Sequence, residues 1–301
     1  MGKRKRTGIQ RERKIEHGDY MTVNVFPVFP KAKGRSKKCK PSTAIQKALN
    51  QKYREERLRY LLDANFTSDD MEVGLGYDDE HLPDTYEECK RDVVNFHRRL
   101  NRFRAAIGLP EMKYIYCIER GKKNGRWHTH DTMSGGTVDT SDETIKKIKP
   151  FFRGMTCEEI KKAIEKGGYK QCVKMIWGKG YAHTYDLDYN EDGLTALAKY
   201  KVKEPETKIE EIDGKTRRWS TSKNLKQPTI TERDNRISKA TVEDIRRGNI
   251  CEREIERIYP GYTVTSYTAI HNNINAGEYV TIRLYKRPNS KGGLRFGKNK
   301  E

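Results

Sequence analysis

The chain has 301 residues, 34% hydrophobic and 35% charged, with 62 Lys and Arg against 43 Asp and Glu for a net charge of +19. That length allows one large domain or two modest ones, and the positive excess points to a polyanionic partner, nucleic acid ahead of an anionic membrane surface. No apolar run is long enough to span a bilayer, no apolar stretch of a secretory signal follows the basic N-terminus, and the six cysteines form no Cys-x-x-Cys pair. A zinc ribbon or disulfide framework is thereby disfavoured, and reduced thiols in a cytoplasm fit better.

Residues 1–40 hold thirteen Lys/Arg and three Asp/Glu, and residues 286–301 hold six and one. Both ends are therefore expected to be flexible basic arms, with a catalytic core over 41–205 and a C-terminal part, 206–285, packed on it. Ser42 can cap a helix through Ala44, Leu49, Tyr53, Leu58 and Leu62, which are apolar at helical spacing. Met71–Tyr77 alternates as a strand, weakened by Gly74 and Gly76. From Tyr86 to Ala106 runs a long amphipathic helix, with Val93, Phe96, Leu100 and Phe103 inward and Arg98, Arg99, Arg102 and Arg104 crowding its later turns. Of these, Arg98, Arg99 and Arg102, with Lys199, are the candidate DNA contacts.

Next comes Tyr114-Ile-Tyr-Cys-Ile-Glu119, an Asn124-Gly125 turn signal and Arg126-Trp-His128-Thr-His130, which together read as a β-hairpin. Residues two apart on a strand share a face, so His128 and His130 project together and Glu119 on the partner strand can reach them. Two imidazoles and a carboxylate suit a small divalent-cation site. His-x-His alone does not decide between that site and two histidines that happen to be neighbours. Thr156-x-x-Glu159 is a capping box opening a helix to about Lys166. Lys170–Trp177 and Tyr181–Leu187 read as strands, and Asp192–Lys203 as a helix ended by Pro205. An Asp213-Gly214 hairpin, a polar segment at 219–228, a helix opened by Thr241, and strands near 262–269 and 278–284 complete an α+β pattern.

On the helix ending near Lys203, Tyr200 and Lys203 lie three apart on one face, flanked by Lys199. A phenol is a poor nucleophile at its free pKa of about 10. A neighbouring ammonium favours the phenolate, and a metal that polarises a phosphoryl oxygen eases attack at phosphorus. No Gly-x-x-x-x-Gly-Lys-Ser/Thr segment occurs, so no nucleoside-triphosphate motor is expected.

The order strand, His-x-His hairpin, Tyr-x-x-Lys helix resembles the HUH endonucleases that start rolling-circle replication, and more closely the replication-associated proteins of bacterial phages and mobile elements. The likeness extends to Asn65-Phe-Thr67, Tyr77–Pro83, Trp177-Gly-Lys-Gly180, Leu197-Ala-Lys-Tyr200 and the 219–228 segment, covering roughly residues 40–285. The resemblance implies a central antiparallel sheet flanked by helices, with metal ligands on the sheet and the nucleophile on a helix beside it. Tyr200 matches the tyrosine that joins to the 5′ phosphate of single-stranded origin DNA and frees a 3′-OH. His128 and His130 match the ligands of Mg²⁺ or Mn²⁺, with Glu119 as the third, and Lys203 matches the basic residue that positions the nucleophile or handles its proton. A host helicase and polymerase would be partners, in the cytoplasm of a bacterial host. A single tyrosine on the helix implies single-tyrosine chemistry.

Two residues depart from the family pattern. Thr129 stands where a bulky apolar residue is usual, and Asp131 shares its face, where an unpaired buried carboxylate is costly. Two other readings stay open: a catalytically inactive DNA-binding protein of the same fold, and a related single-tyrosine transposase.

Overall fold

The computed structural model describes residues 9–28, 44–121, 125–190, 192–202, 219–272 and 277–287. In chain order these form β1 (Ile9–His17), β2 (Tyr20–Val28), α1 (Ala44–Asn65), β3 (Met71–Gly76), α2 (Tyr86–Ala106), β4 (Tyr114–Arg120) and β5 (Trp127–Met133). There follow α3 (Asp142–Ile148), α4 (Cys157–Trp177), β6 (Ala182–Asp186), α5 (Thr195–Val202) and β7 (Ser220–Thr221). The last elements are β8 (Thr229–Asp234), α6 (Lys239–Arg247), α7 (Glu252–Ile258), β9 (Tyr262–Asn272) and β10 (Gly277–Lys286). This is an α+β fold with two antiparallel sheets, and no helix among the described residues is long and apolar enough to cross a membrane.

The chain divides into two compact units, one of them Asn65–Tyr189 with Leu194–Leu225. Its sheet has the order β6-β3-β5-β4-β7, and one face is covered by α2, α3 and α4. Val73 and Leu75 of β3 and Tyr116 and Ile118 of β4 meet Val93, Phe96, Leu100 and Phe103 of α2 and Ile164, Val173 and Trp177 of α4 in one buried core. Burial of side chains this large stabilises by about 1.5–3 kcal/mol each, and that drive fixes which face of each strand turns inward. The helix α2 starts where Thr85 accepts from the Glu88 amide, with Glu87 and Glu88 favourably placed in its first turn. The expected capping box is present: Thr156 accepts from the Glu159 amide and Glu159 from that of Thr156.

The other unit comprises Met1–Ala64, Asn190–Gly193 and Lys226–Glu301. Its sheet has the order β8-β1-β2-β10-β9, and Met21, Val23, Val25, Ile282 and Leu284 pack against Val242 and Ile245 of α6 and Ile255 of α7.

Several expectations are corrected. Residues 9–28, expected within a flexible basic arm, are two paired strands. Of the expected C-terminal part, β7 pairs with β4 in the sheet of β3–β6, whereas β8, β9 and β10 share a sheet with β1 and β2. Lys170–Trp177 is the second half of α4, because Cys172, Val173, Ile176 and Trp177 are buried at helical spacing; Gly168 (φ 57°) takes the kink that separates it from the first half. The cap of α6 is Ser238, which accepts from the Thr241 amide. Between β4 and β5 the closest pair is Arg120 with Trp127, so the connection is longer than a two-residue turn, and Gly125 adopts φ 66°. Ser42, Asn124, Pro205, Asp213-Gly214, most of the C-terminal basic tail and Lys203 lie outside the described residues.

Candidate metal and nucleophile site

In the β4–β5 ladder Glu119 faces His128 and Cys117 faces His130; across β5, Gly76 lies opposite His128 and Gly74 opposite His130. Directly opposed residues share a sheet face, so Glu119, His128 and His130 stand together on the side away from the α2–α4 core. His128 Nε2 is 3.7 Å and His130 Nε2 is 3.9 Å from Glu119 Oε2, and the two imidazoles stand edge to face with centroids 5.1 Å apart. One donor atom from each of the three residues falls within 4.8 Å of the others. Two neutral imidazoles and a carboxylate converging at that spacing, half-buried and open on one side, fit a divalent cation. Glu119, His128 and His130 would hold it.

The helix α5 covers this face. Ala198 and Val202 are fully buried beneath it, and that docking carries Tyr200 over the histidines. Tyr200 Oη lies 3.0 Å from His130 Nε2, with the two rings at 88° and 4.9 Å between centroids. Tyr200 is 47% exposed, leaving its hydroxyl open to an incoming group. The flanking Lys199 is exposed.

The residue that sequence reasoning missed is Lys201. It is 2% exposed, and its Nζ donates to Glu72 Oε1 at 2.7 Å and to the His130 carbonyl at 3.0 Å. Glu72 also accepts from Thr132 Oγ1 at 2.6 Å. Lys201 thus ties α5 to β3 and β5 directly behind the candidate nucleophile. Two cues were available: Lys201 shares its helix face with Ala198, and Glu72 alternates with Gly74 and Gly76 on the face away from the core.

Charge in the cluster is set by burial and by this lysine. Glu119 is held below the usual carboxylate range, chiefly by His128, and His128 is raised chiefly by Glu119. Burial, then the Lys201 ammonium, push His130 down to about 4. At neutral pH His130 is therefore uncharged, and its Nε2 lone pair accepts from the Tyr200 hydroxyl when the ring proton sits on Nδ1. Tyr200 itself is raised, by burial first and the Glu119 carboxylate next; Lys201 opposes this and is outweighed. The lysine expected to favour the Tyr200 phenolate, Lys203, lies outside the described residues.

The two odd residues on the opposite face now have a setting. Asp131 is fully buried, and its Oδ2 meets His97 Nε2 of α2 at 2.5 Å. His97 stacks on Tyr114 at 3.8 Å between centroids. Thr129 is fully buried beside Cys89 of α2. Because α2 packs on this core face, Arg98, Arg99 and Arg102 are not brought together with the His–Glu–Tyr cluster. They line a separate cleft of about 850 Å³ with Asn95 and an Asp92–Lys179 ion pair at 3.0 Å.

Residues 70–205 match the family model described as replication-associated protein ORF2/G2P. No curated protein and no solved structure matches the chain. The matched stretch runs from β3 to the end of α5 and contains Glu72, Glu119, His128, His130, Tyr200 and Lys201. It supports a replication-associated protein.

Proposed function

We propose that this protein initiates rolling-circle replication by nicking single-stranded origin DNA, with Tyr200 as nucleophile and a divalent cation, Mg²⁺ or Mn²⁺, held by Glu119, His128 and His130. The observation that carries the reading is the Tyr200 hydroxyl 3.0 Å from His130 Nε2, at the open side of a three-donor cluster. A bound cation supplies electrophilic polarisation of a non-bridging phosphoryl oxygen. Tyr200 Oη attacks phosphorus, forming a phosphotyrosine bond to the 5′ side, while the bond from phosphorus to the 3′ oxygen breaks. Tyr200 loses one proton and the departing oxygen gains one as the 3′-OH, so the exchange balances and is reversible by attack of that hydroxyl.

Each neighbouring residue has a part in this reading. Lys201 fixes the helix turn that carries Tyr200, and its charge adds to burial in keeping His130 neutral and ready to ligate. The His130 Nε2 lone pair cannot both ligate and accept from Tyr200, so a cation held there by His130 would leave the Tyr200 hydroxyl free. Lys203, three residues after Tyr200 in the sequence, is assigned to positioning or proton handling. Lys199, Arg98, Arg99 and Arg102 are assigned to DNA phosphates, the arginines across the sheet from the chemistry. A host helicase and polymerase, in the cytoplasm of a bacterium carrying a phage or mobile element, would complete replication. The His97–Asp131 contact supports this reading by giving the buried Asp131 Oδ2 a partner.

Incubation of the chain with origin-region single-stranded DNA and Mn²⁺ or Mg²⁺ should give a protein–oligonucleotide adduct stable to denaturation, absent in Tyr200→Phe and absent with chelator. An adduct that survives in Tyr200→Phe refutes the assignment.

A further inference from the structure

We infer that the exposed ring row Tyr181–His183–Tyr185, with the glycine floor of β3 beside it, is a base-stacking track for the single-stranded DNA on either side of the cleaved phosphate. The inference rests on the proposed nicking function and names how that site holds its substrate. In the β3–β6 ladder His183 faces Gly74 and Tyr185 faces Glu72, and Tyr181 continues the register through paired backbone hydrogen bonds with Gly76 of 2.7 and 3.2 Å. All three rings therefore share the face of the metal cluster, Tyr181 level with His128 and His183 level with His130.

Folding does not use these rings. Tyr181 is 63% and Tyr185 59% exposed, and His183 is exposed too. An edge strand is ordinarily guarded by charged side chains, so three aromatic rings in a row on the sheet's outermost strand ask for another occupant. Gly74 and Gly76 shape the space between them and the histidines. A Cβ at Gly74 would meet nothing within 4 Å, and one at Gly76 would touch only Tyr181, at 3.9 Å. With strands about 4.8 Å apart, the floor from β5 to β6 is about 9.6 Å wide and bare of side chains.

The spacing along β6 fits bases. Rings two residues apart stand about 6.6 Å from one another, roughly twice the 3.4 Å stacking repeat of nucleic acid, so one base fits between each neighbouring pair. Stacking on π-faces accepts any base, whereas paired bases in a duplex offer none. The track therefore selects single strands and leaves sequence choice to other contacts.

The test is equilibrium binding of the full chain, without divalent cation, to a labelled mixed-sequence single-stranded oligonucleotide and to its abasic counterpart. Tyr181→Ala and Tyr185→Ala should each weaken binding of the first by about 5- to 150-fold and leave the abasic strand unaffected, while Tyr181→Phe and Tyr185→Phe bind as the unaltered chain. Gly74→Val should also weaken binding with no fall in thermal midpoint, because the added side chain enters open space. Equal losses on the abasic strand, or unaltered binding by both alanine variants, overturn the track. Adduct formation by the unaltered chain is scored in parallel. The track fails alone when the variants bind normally and that adduct still forms; the nicking reading fails alone when bases are bound as expected but no adduct forms.

Discussion

Lys201→Met tests whether the buried Lys201–Glu72 pair holds α5, and with it Tyr200, in place. The lysine side chain is fully buried and Glu72 retains 13% exposure, at 2.7 Å. Removing the ammonium leaves a nearly buried carboxylate that accepts from Thr132 and removes the bond to the His130 carbonyl. Breaking such a pair from one side costs about 3–5 kcal/mol, which in a unit of this size lowers the thermal midpoint by about 6–20 °C. Burial depresses the Lys201 pKa, and Glu72 with the other acidic groups around it more than restores it, so the net shift is upward. A raised lysine contributes fully below its unfolded pKa, and the contribution fades only above about pH 10. Glu72→Gln combined with Lys201→Met removes both charges, keeps an acceptor for Thr132 and should recover more than half of the loss. The measurements are thermal and urea unfolding of the four proteins of the double-mutant cycle, with adduct yield below each midpoint. A single-variant cost under about 1 kcal/mol, or a double variant as unstable as the sum of the singles, refutes the reasoning.

Three further outcomes are expected. Asp131→Ala strips the buried His97 of its carboxylate and should cost about 3 kcal/mol in urea unfolding, with Asp131→Asn losing less; an alanine variant as stable as the parent would show the pair to be idle. His128→Ala and His130→Ala should each abolish adduct formation at ordinary cation concentration, with partial return in excess Mn²⁺, and loss without any such return would argue against ligation. His17 is buried against Asp63 at 3.1 Å and lies below the usual histidine range, chiefly because of burial. The unfolded chain then binds the extra proton, so stability of its unit should decline as pH falls below about 6.5. Unfolding midpoints across pH 8 to 5 check this, and an unchanged slope in His17→Gln would contradict it.

The hairpin of the candidate metal site was legible because it is local. A period of two and strand pairing bring Glu119, His128 and His130 to one face without reference to the rest of the chain. The same holds for α2, with its Thr85 cap, and for the capping box of α4. What escaped depended on distant partners. Lys201 looks like any solvated lysine until Glu72, 129 residues away, is placed beside it. Asp131 looks unaffordable in a core until His97 arrives from α2. β1 hid in a basic stretch because two of its inward positions, Gln10 and Glu12, are polar; Glu12 Oε1 accepts from Arg236 at 2.5 Å and from Tyr259 at 2.7 Å, both more than 220 positions away. The second half of α4 was misread because Gly167-Gly168 resembles a terminator, whereas the packing of Val173, Ile176 and Trp177 carries the helix through the kink.

The most direct test of the central claim is mass-spectrometric mapping of the covalent product. After reaction with single-stranded origin DNA and Mn²⁺, nuclease trimming and proteolysis, a nucleotide remnant linked through a 5′ phosphate should be found on Tyr200. A remnant on any of the other sixteen tyrosines, or cleavage that leaves no protein-linked nucleotide, would contradict the account.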